Sequence, residues 1–149
     1  MPPSSGPGPT PRWRCTSTWG QPGRITDLAG ASQVLGELRR LGVQVALDDF
    51  GSGNSDLGYL LELPIDLIKL DRTLTATCSR PGRAHEVSVG TIELCLRLGI
   101  PMVAEGVERP EQARWLAGPG CHYGQGFLFA EPLPAIEITA IPATGVTAG

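Results

Sequence analysis

The sequence predicts an α/β fold in which about four parallel strands alternate with flanking helices. Two observations predict it. From Ala31 onward, apolar runs with helical spacing and apolar runs with strand character succeed one another in alternation. Each strand-like run is also short and bounded by Gly, Pro or acidic residues. Such alternation implies right-handed βαβ crossovers and a parallel sheet. An open sheet and an arc of a (β/α)8 barrel fit that count equally well.

The elements follow in order. Val34, Leu35, Leu38 and Leu41 recur at helical spacing among Glu37, Arg39 and Arg40, and Gly42 stands where a C-cap is expected. The run from Val43 to Asp49 is β-branched and apolar until its last two residues, and Gly51-Ser52-Gly53 supplies a tight turn into a helix over about 55–62. Ile65 to Leu70 reads as a second strand. A polar connection through Pro81 and Gly82 then leads to a helix over about 84–98. A third strand ends at Glu105. Pro110 and Gly118 bracket a short helix, and a fourth strand is expected over about 122–128.

Of the chain's 20 Gly and 14 Pro, eleven fall in its first thirty residues, which lack a hydrophobic period and offer little burial to offset ordering entropy. Residues 1–30 are therefore expected to be disordered or foreign to the folded unit, 31–135 to form one domain, and 136–149 a tail. The formal charge is −3, with 12 Lys and Arg against 15 Asp and Glu. No basic cluster is present, so polymeric DNA or RNA is not an expected partner. Cys15, Cys78, Cys95 and Cys121 form no Cys-x-x-Cys pair, and Cys121-His122 lacks companions at zinc-ligand spacing. With no secretory signal and no apolar run long enough to span a membrane, reduced thiols and a cytoplasmic location are expected.

Asp48 and Asp49 close the first strand, Lys69 lies in the second, Glu105 ends the third and Gln125 falls in the fourth. Side chains alternate along a strand, so Gln44, Ala46 and Asp48 share one face, as do Leu67, Lys69 and Asp71. In a barrel, Asp48, Lys69, Glu105 and Gln125 converge at the C-terminal mouth, where such folds carry their active sites. A single strand-end Asp is commonly a turn or capping residue. Adjacent carboxylates gathered with a Lys and a Glu are costly without cations and an anionic ligand to compensate them, and all-oxygen donors suit a hard divalent ion.

Four blocks then stand in register: Val45-Ala46-Leu47-Asp48-Asp49-Phe50-Gly51-Ser52-Gly53, Leu63-Pro64-Ile65-Asp66-Leu67-Ile68-Lys69-Leu70-Asp71-Arg72, Val103-Ala104-Glu105-Gly106-Val107-Glu108 and Gly124-Gln125-Gly126-Phe127-Leu128-Phe129-Ala130-Glu131-Pro132-Leu133-Pro134. From about Thr26 to Ala135 the sequence thus resembles the C-terminal half of the EAL-domain phosphodiesterases. The resemblance implies a partial (β/α)8 TIM-type barrel that hydrolyses cyclic-di-GMP to a linear dinucleotide with two Mg2+ or Mn2+ ions. It makes Asp48 a ligand of both metals and Asp49 a ligand of the second. It places Lys69 beside the attacking water, Glu105 in support of the metal and water cluster, and Gln125 near the nucleotide. Glu108 would buttress the loop, or be plainly structural. Asp71 reads as a structural residue at its strand end.

The Glu-Ala-Leu motif that names the family, the strand carrying its asparagine ligand and a further glutamate ligand have no counterpart in this sequence. Asn54 and Asp56 replace an aromatic and a small hydroxyl residue. The expectation is a truncated phosphodiesterase domain with impaired activity of its own, cyclic-di-GMP as its ligand, and self-association or a missing N-terminal half to complete it. The alternative is a non-catalytic module that binds cyclic-di-GMP or a protein.

Overall fold

A computed structural model describes residues 25–52, 57–121 and 123–132. The segment expected to be disordered, except for its last six residues, lies outside them, as do Cys15, Asn54, Asp56, His122 and the 136–149 tail. Helix α1 spans Leu28–Arg40, β1 Ala46–Phe50, α2 Leu57–Glu62, β2 Leu67–Leu70 and α3 Arg72–Thr77. Then come α4 over Arg83–Arg97, β3 over Met102–Glu105, α5 over Pro110–Ala117 and β4 over Tyr123–Gln125. The four strands form one parallel sheet in the order β1-β2-β3-β4, as the alternation requires.

Each boundary has a local cause. Helix α1 starts at Leu28, earlier than its apolar period suggests, because the Asp27 side chain accepts a hydrogen bond from the Gly30 N–H at 2.8 Å. The stretch 43–45 leads into β1 without joining its regular ladder. There Asp66 substitutes side-chain bonds: its carboxylate accepts from the Val45 N–H at 2.9 Å and pairs with Arg39 at 2.6 Å. Strand β4 stops at Gln125 rather than running to residue 128. The chain turns at Gly126, whose carbonyl accepts from Phe129 and Ala130. A Cβ on Gly126 would lie 2.2 Å from the Val107 carbonyl oxygen, so only glycine fits this turn. Helix α3 lies within what the sequence presents as a polar connection. Asp71 caps it, accepting from the Thr73 N–H at 2.9 Å and from the Thr73 hydroxyl at 2.5 Å.

The core lies between the sheet and helices α3, α4 and α5. Ile68, Leu70, Met102 and Ala104 from the central strands are essentially inaccessible and pack with Phe50, Leu74, Ile92, Cys95, Val107 and Leu116. At about 25 cal/mol per Å2 of apolar surface, each such side chain contributes roughly 2 kcal/mol on burial. This packing holds β2 and β3 rigidly in the middle of the sheet, and their outer ends carry the polar residues described next.

Candidate functional site

Register brings the polar strand ends together. Lys69 pairs with Val103 across β2 and β3, and Glu105 pairs with Gln125 across β3 and β4. On the other side of β2 the ladder to β1 runs regularly through Leu47↔Ile68 and then slips, resuming at Phe50↔Leu70. The two residues within that slip are Asp48 and Asp49. Asp49 adopts a left-handed backbone with φ of 53°, a conformation that Asp tolerates better than most side chains. Strict alternation would send adjacent carboxylates to opposite faces. The bulge instead lets both reach the same end of the sheet, while Phe50 is returned to the core.

The carboxylates of Asp48, Asp49 and Glu105 each place an oxygen within 4.8 Å of the others. Lys69 is threaded between two of them, its Nζ donating to Asp48 Oδ1 at 2.7 Å and to Glu105 Oε1 at 2.5 Å. Its side chain is about one-fifth exposed. Burial acts to lower the Lys69 pKa, but the hydrogen bonds it donates to Asp48 and Glu105, together with their negative charge, outweigh it and raise the pKa well above its usual value. These two carboxylates therefore hold Lys69 as an ammonium at neutral pH. Three carboxylates and one ammonium leave an excess of negative charge, and the all-oxygen donor set suits a hard divalent cation such as Mg2+ or Mn2+.

Beside this cluster opens a cleft of about 500 Å3 lined by Asp49, Ser52, Asp71, Arg72, Glu105 and Gln125, among others. Gln125 thus faces the cleft that Asp49 and Glu105 also border. Glu108 stands apart from the three-acid cluster, exposed on the loop that follows β3. Asp71 lines the cleft, yet its carboxylate is engaged by Thr73 as the cap of α3.

Two residues here had no place in the sequence-based site. Arg72 lines the cleft. Gln112, 3% exposed, clamps the loop after Glu105. Its Oε1 accepts from the Glu108 and Arg109 N–H groups at 3.0 and 2.8 Å, and its Nε2 donates to the Thr75 carbonyl at 3.2 Å. Gln112 thereby ties the loop behind Glu105 to the helix that follows Lys69. The available signal was its position three residues after Arg109, where a Gln reaches back to a helix N-terminus.

The family model described as EAL domain matches residues 20–132. A cyclic di-GMP phosphodiesterase of Pseudomonas aeruginosa is 41% identical over 109 residues, which are 73% of this chain and 19% of that protein. The crystal structure of an EAL domain protein from Listeria monocytogenes EGD-e superposes with a TM-score of 0.71 at 40% identity, covering 77% of this chain and 47% of the other. The Klebsiella pneumoniae protein BlrP1, solved as a manganese and cyclic-di-GMP complex, superposes with a TM-score of 0.64 at 39% identity, over 72% of this chain and 28% of the other. The chain therefore spans less than a third of the curated relative and about half of the Listeria structure.

Proposed function

This chain belongs to the EAL domain family, whose fold is a TIM-type barrel, and from that premise we propose that it binds cyclic-di-GMP with divalent metal as part of a cyclic-di-GMP phosphodiesterase domain. The observation that carries the reading is the cluster of Asp48, Asp49 and Glu105 with Lys69 inserted among them, opening onto a cleft bordered by Gln125. The Pseudomonas relative acts on the same dinucleotide by name, and the Klebsiella structure holds it together with manganese.

Asp48, Asp49 and Glu105 would hold the metal, because their oxygens are the hard donors that Mg2+ and Mn2+ prefer. A divalent ion bound there would polarise a phosphoryl oxygen and lower the pKa of a water. Lys69 holds Asp48 and Glu105 in place and offers fixed positive charge to an anionic substrate and to a nearby water; with its proton retained, it orients and stabilises rather than abstracts. Gln125 supplies an uncharged donor and acceptor to the nucleotide. Glu108 supports the loop behind Glu105 from outside the cluster.

Hydrolysis by this chain alone is expected to be slow. A divalent ion takes about six oxygen ligands, and a two-metal centre needs both ions held at fixed separation. Among the described residues, the only cluster of three or more potential ligands holds just three carboxylates, which leaves most coordination positions to water. The test is formation of the linear dinucleotide by purified chain in excess Mg2+ or Mn2+, beside Asp48→Ala and Lys69→Ala. Turnover far below that of a complete domain, and lost in both variants, is expected. Rapid turnover abolished by both substitutions would refute the slow-hydrolysis claim and would mean that another chain supplies ligands. Turnover indifferent to both would refute the site.

A further inference from the structure

We propose that Arg72 is an anion-binding residue of this site, holding a phosphate oxygen of the cyclic dinucleotide at the rim of the cleft; the inference rests on the functional reading above. Arg72 borders the same cleft as Asp49, Glu105 and Gln125, and it is the one cationic residue among the described residues that line it. Three carboxylates, those of Asp49, Asp71 and Glu105, border that cleft as well. Even so, the Arg72 guanidinium makes no ion pair or hydrogen bond with any described residue, and the side chain is exposed. The carboxylates are otherwise engaged: Glu105 holds Lys69, Asp71 holds Thr73, and Asp49 belongs to the metal-ligand cluster. Five N–H donors are thus left facing solvent beside a cluster that attracts cations.

The base of Arg72 is held firmly. The preceding Asp71 N–H donates to the Phe50 carbonyl at 3.0 Å, which pins the start of α3 to the end of β1. On the other side the chain turns at Gly106, with φ of 67°, directly after Glu105. A Cβ there would lie 2.7 Å from the Cβ of Arg72. The missing side chain lets the Arg72 stem lie against the turn that carries Glu105. A planar fork on a fixed stem, next to metal-binding carboxylates, is suited to a phosphodiester whose remaining oxygens point away from the metal. Guanidinium groups match the spacing of phosphate oxygens better than ammonium groups do.

The experiment is calorimetric titration of cyclic-di-GMP into the full chain with calcium, which supplies divalent charge without the strict octahedral geometry of magnesium. Arg72→Ala is expected to keep its circular dichroism spectrum and to lose affinity by about 10- to 100-fold, the range for a hydrogen bond to a charged group. Its binding should also depend less on salt, since a phosphate contact is screened by ions. Arg72→Lys should retain the salt dependence but recover only part of the affinity. Equal affinity in Arg72→Ala and the unaltered chain overturns the inference and leaves the functional reading standing. Lost affinity with unchanged salt dependence assigns Arg72 to a base edge and overturns the phosphate contact. Absence of binding by the unaltered chain overturns both.

Discussion

Lys69 neutralises Asp48 and Glu105 in the absence of metal, so it competes with a cation for the same oxygens while serving the same substrate. The two roles separate on substitution. Lys69→Met removes the competing charge, and manganese affinity measured by electron paramagnetic resonance should rise by about tenfold, while any turnover disappears. A fall in manganese affinity would instead mean that the hold of Lys69 on the two carboxylates outweighs its competing charge. The buried thiols give a pH dependence of a different origin. Burial raises the Cys95 pKa from 9.0 to about 11, with the Cys121 charge adding to it and a backbone hydrogen bond opposing. A raised folded-state pKa favours the protonated native form. Its contribution to stability is complete below about pH 9 and lost as pH rises towards 11. Melting temperature should therefore decline across that window, and Cys95 should resist alkylation at pH 8 until the chain unfolds. Rapid labelling in the folded state would contradict the burial. The candidate residues were legible one by one because Asp, Lys, Glu and Gln stand out at the ends of apolar runs. Arg72 was not, since an Arg after a strand looks like any solvated side chain until the cleft beside it is seen.

The bulge in β1 decides which residues can act together. It places Asp49 beside Asp48, where a regular strand would turn it away. Sequence periodicity could not show it, because a register slip is a property of a strand pair and not of one strand. Helix α3 escaped notice for a related reason: six residues complete less than two turns, too few for an apolar period to emerge. By contrast α4, with fifteen residues, and the central strands declared themselves through spacing alone. Two predictions belong to these connections. Gln112→Ala leaves the Glu108 and Arg109 N–H groups without their partner and takes from the Thr75 carbonyl one of its two donors, the other being the Cys78 thiol. It should cost about 1–3 kcal/mol in urea unfolding, since an unsatisfied buried group costs about that much and these two N–H groups are part-buried. A loss below about 0.5 kcal/mol would mean that the clamp is replaced by water. Gly126→Ala drives a methyl into the Val107 backbone. It should destabilise by about 1–3 kcal/mol, as overpacking against an unyielding neighbour does; a neutral result would show that the turn after Gln125 shifts freely.

Across the molecule, the described sheet ends at β1 on one side and β4 on the other, with no further strand paired to either among the described residues. Tyr123 and Phe127 are more than half exposed, as are Val34, Leu57 and Leu61 on the first two helices. Parallel edges with no further described strand beside them, together with exposed apolar side chains, favour association. Light scattering should therefore give a mass that increases with concentration, and a compact monomer at all concentrations would contradict this. Among the described residues no helix is long and apolar enough to cross a membrane. The alternation of strands and helices was readable at this scale, whereas the reading of the sheet as part of a barrel came only through the four motifs in register. The most direct measurement of the proposed site is equilibrium binding of cyclic-di-GMP with and without manganese, for the unaltered chain, Asp48→Ala and Glu105→Gln. Binding that requires manganese and weakens by at least about 10- to 100-fold in both variants is expected, because even the partners of metal ligands matter by that factor. Binding that ignores manganese, or that survives both substitutions unchanged, would contradict a metal-dependent nucleotide site built on Asp48, Lys69 and Glu105.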